Sequence, residues 1–149
     1  MVARIVASRD EMDIPGSGGV GDEALMELAR RASESAYAPY SRFRVGAAVR
    51  TAAGGVYVGC NVENASYGLT CCAERSAVFA AVAAEGPRMR LVEVAVHAAA
   101  HSVPPCGACR QVIAEFGPAA RVLFPSGGVV TAMRADELLP AAFELDPPG

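Results

Sequence analysis

The stretch "GLTCCAERSAVFAAVAAEG", residues 68 to 86, predicts a helix with a chemically unusual start. Its run "AERSAVFAAVAAE" contains helix formers throughout, and Gly86 followed by proline is a stop signal because proline cannot continue a helix. The N-terminus of this helix carries two adjacent thiols, Cys71 and Cys72, and the carboxylate of Glu74. We therefore expect polar chemistry at its N-terminus.

A second motif has the same layout. The stretch "HSVPPCGACRQVIAEFG", residues 101 to 117, predicts a loop that leads into a short helix. Thiols again stand at the helix start: Cys106 and Cys109 occupy the place that Cys72 occupies in the first motif. The strand "RLVEVAVHA" lies between the two motifs. We expect the two helix starts to face each other across a sheet edge.

The segments around these motifs predict a mixed sheet. Upstream, "RFRVGAAVRT" and "VYVGCNVEN" are β-rich runs separated by "AAGG", which predicts an antiparallel hairpin. Downstream, "ARVLFPSGGVVTAM" predicts two strands about a glycine turn, and "ADELLPAAF" predicts a closing helical turn. Strands that alternate with helices after an early hairpin indicate an α/β fold in which helices cover the faces of a mixed sheet.

The N-terminal part predicts an amphipathic helix preceded by an arm. Asp22 is a suitable N-cap for "EALMELARRASESA", whose apolar residues fall on one side at helical spacing: Leu25, Leu28, Ala29 and Ala32. Residues 1–21 contain the glycine-rich run "IPGSGGVG" and are interpreted as a flexible arm or an expression remnant. Residues 22–149 are then one catalytic domain, which suits a chain of 149 residues.

Composition excludes several classes of protein. Apolar residues make up 52% of the chain and the mean hydropathy is +0.28, so we expect another subunit to cover some apolar surface. No apolar run approaches the roughly 18 residues of a membrane span, and the N-terminus lacks the pattern of a secretion signal, so we expect a cytoplasmic protein. The net charge of −3 without a basic block argues against a nucleic-acid partner.

The cysteines indicate a metal site. Five cysteines, an odd number, in a chain without a secretion signal fit metal binding or catalysis better than disulfides. Helix N-termini carry a partial positive charge that favours thiolates. Cys72, Cys106 and Cys109 would give zinc three sulfur ligands and leave the fourth tetrahedral position to water, as in catalytic sites. The sequence thus predicts one Zn²⁺ per chain.

The other two cysteines are interpreted as structural. Neighbouring residues on a helix point about 100° apart, so Cys71 and Cys72 reach one ion only if the backbone is distorted. We expect Cys71 to point elsewhere. Like Cys60 in its apolar strand, it is then a small buried hydrophobe.

Two charged residues beside the expected ligands suit such a site. Glu74 lies two residues beyond Cys72, close enough to the open side of the metal to shuttle protons, although by itself it would be an ordinary first-turn glutamate. Arg75 has two interpretations. It donates a hydrogen bond to a thiolate and so withdraws negative charge from a zinc centre with three thiolates, or it is a solvated surface arginine.

These motifs closely resemble those of cytidine deaminases, the small homotetrameric kind with three cysteine ligands. The segments "YAPYSRFRVGAAV", "GCNVENASYGLT" and "ELLPAAF" extend the resemblance over residues 22 to about 145. It implies a three-layer α/β/α sandwich around a five-stranded mixed sheet, and a homotetramer with its sites at subunit interfaces. It also implies zinc-dependent hydrolysis of cytidine and deoxycytidine to uridine and deoxyuridine plus ammonia, in pyrimidine salvage.

The resemblance also gives roles to single residues. Zinc activates a water that attacks C4 of cytosine, while Glu74 takes the proton, passes it to N3 and later protonates the departing ammonia. Phe43 matches a phenylalanine on the pyrimidine ring, and Asn61 and Glu63 match a pair that binds the ribose 3′-hydroxyl. The remaining substrate-binding matches are the backbone at Ala65 and Tyr67 near the 5′-hydroxyl, Ala73, and Phe143 from a neighbouring subunit.

Other interpretations remain open on the residues alone. Phe43 and Phe143 would be core residues, and Asn61 and Glu63 turn residues. The Cys-x-x-Cys motif before a helix also suits a thiol–disulfide oxidoreductase, and four cysteines would close a structural zinc site. Within the deaminases, "PCGACRQ" also resembles blasticidin-S deaminases, but "CNVENASYG" favours a free nucleoside, and the acidic balance argues against a polynucleotide substrate.

Overall fold

The computed structural model describes residues 21–145. The predicted arm therefore falls almost entirely outside the described residues. Four helices and five strands follow in chain order: α1 (Asp22–Ser33), β1 (Val45–Thr51), β2 (Val56–Cys60), α2 (Ala73–Glu85), β3 (Leu91–Ala98), α3 (Gly107–Phe116), β4 (Arg121–Ser126), β5 (Val129–Arg134) and α4 (Ala135–Leu138). A short 3₁₀ turn, Tyr67–Leu69, precedes α2.

The strands form one five-stranded sheet in the order β2-β1-β3-β4-β5. The predicted hairpin is confirmed, since β1 and β2 pair antiparallel with Ala48 opposite Val58. Only the β3–β4 pair is parallel among the described strands, and α3 makes the crossover between these two strands. A parallel pair needs such a crossover because the chain must return to the same end of the sheet. The sheet is therefore mixed, as the sequence predicts.

Helices cover both faces of this sheet. Successive residues of a strand point to opposite faces, and along β1 the buried Ala48 packs in the cluster with α1, while Ala47 and Val49 pack in the larger cluster with α2 and α3. Leu25 and Ala29 fill the α1 side, and their spacing of four places both on the same helix face. The three-layer α/β/α sandwich is confirmed.

Two glycines let the helices approach the sheet closely. A Cβ atom on Gly46 of β1 would overlap the backbone of α1 at Ala29 and Ser33. A Cβ atom on Gly59 of β2 would overlap the backbone of α2 at Ala77. Since only glycine lacks this atom, these positions set how near each helix lies to the sheet. For α2, that distance also sets the depth of the helix start that carries Cys72.

One helix boundary differs from the prediction. Gly21, and not Asp22, is the N-cap of α1, and no side chain caps this helix. The Asp22 carboxylate instead accepts hydrogen bonds from the Arg121 guanidinium, including one of 2.6 Å from Nη2. The α2 stop is as predicted, because Gly86 follows Glu85 with a φ of 82° that few other residues adopt. Within residues 21–145 we find no helix long and apolar enough to cross a membrane.

Candidate active site

The three predicted zinc ligands meet at the starts of α2 and α3. Cys72 is the N-cap of α2, Cys106 is the N-cap of α3, and Cys109 lies fully buried in the first turn of α3. Their sulfur atoms all lie within 4.8 Å of one another. In the part of the chain that the structure describes, no other group of three or more histidine, cysteine, aspartate or glutamate side chains meets that distance.

The cluster has the dimensions of a zinc–thiolate site. Two sulfurs bound at about 2.3 Å to one tetrahedral zinc lie about 3.8 Å apart. The Cys72 and Cys106 sulfurs are 3.8 Å apart, so they do not need to move to bind one ion. Three soft sulfur donors suit zinc, and a three-ligand set leaves one coordination position open. This arrangement is typical of a catalytic zinc site.

Electrostatics at the cluster favour a thiolate. Hydrogen bonds from Cys109, then Arg75 and Cys106, lower the pKa of the Cys72 thiol to about 5. Burial opposes this effect but does not cancel it. Since a metal binds the thiolate and not the thiol, Cys72 is prepared for ligation at neutral pH.

Arg75 contacts both the cluster and the loop before it. Its Nη2 atom lies 3.5 Å from the Cys72 sulfur and donates to the Thr70 carbonyl oxygen at 3.2 Å. Arg75 is half-buried and makes both contacts, which does not fit the solvated surface arginine of the alternative interpretation. A cation at this place withdraws negative charge from the sulfur that it contacts.

Glu74 is the buried carboxylate next to the cluster. Only 4% of its surface is exposed, and burial is the main reason that its pKa is raised. The negative charge of Cys72 acts in the same direction, whereas a hydrogen bond with Cys109 acts in the opposite one. A buried acid with a raised pKa beside a metal site is suited to accept and release protons near neutral pH. Ala73, between Cys72 and Glu74, is buried as the first residue of α2.

The two remaining cysteines lie outside the cluster. Cys71 accepts a hydrogen bond from Ser76 Oγ at 3.6 Å and does not belong to the group of three ligands, as expected. Cys60 lies at the end of β2, where burial raises its pKa. Both are half-buried, and β2, which carries Cys60, is an edge strand of the sheet. The sequence predicts small buried hydrophobes, and the structure leaves both cysteines half-buried.

A short ladder joins the predicted ribose residues to the metal segment. Val62 pairs with Cys71 through two backbone hydrogen bonds of 2.9 and 3.0 Å. On its other side the same segment pairs with Tyr37, which donates to Asn61 O at 3.0 Å and accepts from Glu63 N at 2.8 Å. Asn61 and Glu63 are thus held one residue on either side of Val62, next to the cysteine segment.

Asn61 binds the backbone on both sides of Arg44. Its Oδ1 atom accepts from Val45 N at 2.8 Å, and its Nδ2 atom donates to Phe43 O at 2.8 Å. The side chain is 8% exposed, and each of its polar atoms retains capacity for one more hydrogen bond. Asn61 therefore holds the Phe43 segment in place through one acceptor and one donor position.

Glu63 anchors the preceding turn. Its Oε2 atom accepts from Tyr40 N at 2.9 Å and from Ser41 N at 3.2 Å, and its Oε1 atom accepts from the Ser41 hydroxyl. Glu63 therefore makes the contacts of a turn residue, as in the alternative interpretation. Sequence analysis did not single out Ser41. The available signal was its place in the "YSRF" turn, where serine hydroxyls often bind nearby backbone groups.

Two of the predicted sugar-side residues, Glu63 and Tyr67, share a cavity of about 240 Å³, whereas Asn61 and Ala65 do not line it. Glu63 and Tyr67 line it, and the T-shaped pair of Tyr40 and Tyr67, with ring centres 6.0 Å apart, forms one wall. The lining of this cavity does not include Phe43, Cys72 or Glu74. Ala65, which lies between Glu63 and Tyr67 in the chain, is exposed.

The predicted aromatic contacts are strongly exposed. Tyr67 is 76% exposed, Phe143 68% and Phe43 43%, so the prediction from sequence alone that Phe43 and Phe143 are core residues does not hold. The segment at Phe143 is tied to α3 by Gln111, whose Nε2 atom donates to Phe143 O at 2.9 Å. The same helix carries Cys109, but the Phe143 ring faces solvent in the single chain.

Comparison with known proteins gives the same family as the sequence motifs. The model of the family described as "Cytidine and deoxycytidylate deaminase zinc-binding region" matches residues 20–125, which contain all three cysteines of the cluster. A cytidine deaminase of Halalkalibacterium halodurans is 48% identical over 123 residues, which cover 81% of this chain and 92% of the relative.

Solved structures agree in fold. The crystal structure of cytidine deaminase from Burkholderia pseudomallei superposes with a TM-score of 0.76 at 50% identity, covering 83% of this chain and 99% of that one. The crystal structure of cytidine deaminase from Mycobacterium tuberculosis superposes with a TM-score of 0.72 at 41% identity, covering 85% of this chain and 100% of that one. With this zinc-binding region and these relatives along most of its length, the chain belongs to the cytidine deaminase family.

Proposed function

We propose that this protein is a zinc-dependent hydrolase that deaminates cytidine and deoxycytidine to uridine and deoxyuridine, with release of ammonia. The observation that carries the proposal is the buried carboxylate of Glu74 next to three sulfurs that are spaced to bind one zinc. When bound, zinc would act as a Lewis acid that lowers the pKa of a water molecule to near neutral pH. Cys72, Cys106 and Cys109 would hold the ion.

Glu74 is proposed as the group that moves protons. The reaction adds a water oxygen at C4 of the pyrimidine and expels the 4-amino group as ammonia, so one proton must pass to N3 and another to the leaving nitrogen. A carboxylate accepts the first proton from the water and delivers it, and its raised pKa eases the return of a proton to nitrogen. Its burial also keeps bulk water from competing for these protons.

The substrate is proposed to be a free nucleoside. Asn61 and Glu63 offer an amide and a carboxylate acceptor for the ribose 3′-hydroxyl, with the backbone at Ala65 and Tyr67 near the 5′-hydroxyl and Phe43 on the base. A 5′-phosphate needs nearby cations, whereas the cavity beside Glu63 is lined by a carboxylate and no arginine. This lining supports nucleosides over nucleotides.

We propose that the protein acts as a homotetramer with sites at the subunit interfaces. Phe143 and Tyr67 expose most of their surface in the single chain, which is unfavourable for aromatic rings unless a partner or ligand covers them. In this arrangement, Phe143 of a neighbouring subunit lies beside the base. The mass of the protein in solution by light scattering tests the assembly: a mass near one chain, 15.3 kDa, contradicts it.

Ammonia release tests the function most simply. Purified zinc-loaded protein is incubated separately with cytidine, deoxycytidine, dCMP and blasticidin S. The proposal predicts release from the two nucleosides and little from the other two. Preferred turnover of dCMP contradicts the free-nucleoside part, and turnover of blasticidin S alone contradicts the substrate class.

A further inference from the structure

The hydrogen bonds of Glu63 leave one defined place for a ligand. A carboxylate has about four lone-pair sites, two on each oxygen. Tyr40 N and Ser41 N occupy both sites of Oε2, and the Ser41 hydroxyl occupies one site of Oε1. The remaining acceptor site therefore lies on Oε1, the same oxygen that Ser41 binds. The hydrogen bonds, that from the Ser41 hydroxyl foremost, lower the pKa of Glu63, so the group is an ionised acceptor.

The Ser41 hydroxyl connects this carboxylate to the Phe43 segment. Its oxygen accepts from Phe43 N at 3.0 Å while its hydrogen is donated to Glu63 Oε1. The connection spans Arg42, whose φ of 59° lies in the left-handed region that non-glycine residues rarely adopt. A strained residue keeps such a conformation only when its neighbours fix it, and the Ser41–Phe43 bond closes this turn. Ser41 therefore joins the Glu63 carboxylate to the turn before Phe43, while Asn61 independently holds the Phe43 backbone.

We propose that Ser41 is a positioning residue of the nucleoside site, and that its hydroxyl aims the free acceptor of Glu63 Oε1 at the substrate's 3′-hydroxyl. This inference rests on the proposed function, in which Glu63 binds the ribose. Without the Ser41 hydroxyl, Oε1 gains a second free acceptor site and the carboxylate is fixed through Oε2 alone. The oxygen that meets the substrate then loses its defined direction.

The experiment compares two substrates that differ only at the 3′-position. We would measure kcat and KM for cytidine and for 3′-deoxycytidine with wild-type protein, Ser41→Ala, Ser41→Cys and Ser41→Thr. The threonine variant keeps the hydroxyl, and the cysteine variant keeps the size with a weaker donor. Ser35→Ala is the matched control, because this exposed serine makes no side-chain hydrogen bond among those found within residues 21–145. Thermal unfolding verifies that each variant is folded.

The proposal predicts a loss that depends on the substrate. Ser41→Ala raises KM for cytidine about tenfold, which is the size expected when one hydrogen bond to a charged group is lost. It changes kcat for cytidine by less than about threefold. For 3′-deoxycytidine, which offers no 3′-hydroxyl, the same variant changes KM by less than about threefold. Ser41→Thr restores the cytidine KM, and Ser41→Cys lies in between. If the alanine variant does not fold, the cysteine variant carries the same comparison.

Two results overturn the inference while leaving the function intact. One is an equal loss for both substrates, which means that Ser41 only stabilises the turn. The other is an unchanged KM for cytidine in Ser41→Ala. If wild-type protein does not deaminate cytidine at all, the proposed function fails first, and this inference fails with it.

Discussion

Cys72 and Cys106 cap the N-termini of neighbouring helices, and their sulfur atoms lie 3.8 Å apart although 34 positions separate them in the chain. Both helices pack on the same sheet face, and that packing brings the two caps together. The metal site is therefore a consequence of how α2 and α3 sit on the sheet. A change that moves either helix changes the distance between ligands.

The adjacent cysteines offer a matched pair of variants. We predict that Cys72→Ser loses most of its zinc, since one of three sulfur ligands is gone, whereas Cys71→Ser keeps about one zinc per chain. Elemental analysis after dialysis against a weak chelator measures this. Equal zinc loss in both variants would show that Cys71 is also a ligand, which its contact with Ser76 argues against.

Most of the fold follows from local sequence signals. The proline after Gly86 ends α2 where expected, and the alternating runs around "AAGG" form the expected hairpin. These features depend on residues a few positions apart, so they can be predicted from a local sequence pattern. The three ligands were also predicted, because thiols at helix starts have a local chemical reason to be there.

The errors and omissions come from contacts between distant residues. Asp22 does not cap α1, because its carboxylate binds Arg121, 99 positions away, and no local pattern predicts that partner. The role of Ser41 depends on Glu63, 22 positions later. Likewise, the burial of Cys60 depends on which strand forms the sheet edge, which follows from the complete strand order.

Helix placement can be tested at Gly59. We predict that Gly59→Ala destabilises the protein by about 1–3 kcal/mol, because the added methyl group overlaps the α2 backbone and the helix must shift. Chemical denaturation measures the free energy of unfolding. Gly68→Ala is the control, since a Cβ atom there meets nothing within 4 Å. Equal stability of the two variants contradicts the close approach of α2 to β2.

The Glu63 contacts predict a pH-dependent contribution to stability. The pKa of Glu63 is lowered in the folded state, mainly by the hydrogen bond from the Ser41 hydroxyl. The ionised carboxylate therefore stabilises the fold above the ordinary pKa of 4.5, and this stabilisation is lost as the pH falls through the lowered pKa. The melting temperature of Glu63→Gln should therefore lie below that of wild type at pH 6, and the difference should shrink between pH 4.5 and pH 3. A constant difference would contradict the contacts.

Arg75 is predicted to tune the metal through Cys72. Arg75→Gln removes the cation 3.5 Å from the sulfur, so more negative charge stays on the ligand and the metal becomes a weaker Lewis acid. We predict full zinc content, a loss of activity of about 10- to 100-fold, and an acid limb of the kcat/KM profile that moves to higher pH. An unchanged profile with full zinc content removes this role.

The central claim is that Glu74 moves protons beside a zinc ion that it does not bind. The most direct measurement is zinc content together with cytidine turnover in Glu74→Gln, which keeps the size of the side chain but cannot carry a proton. We predict about one zinc per chain, an unchanged fold, and a loss of kcat of about 10²- to 10⁴-fold. Turnover equal to wild type in a zinc-loaded variant would contradict the account.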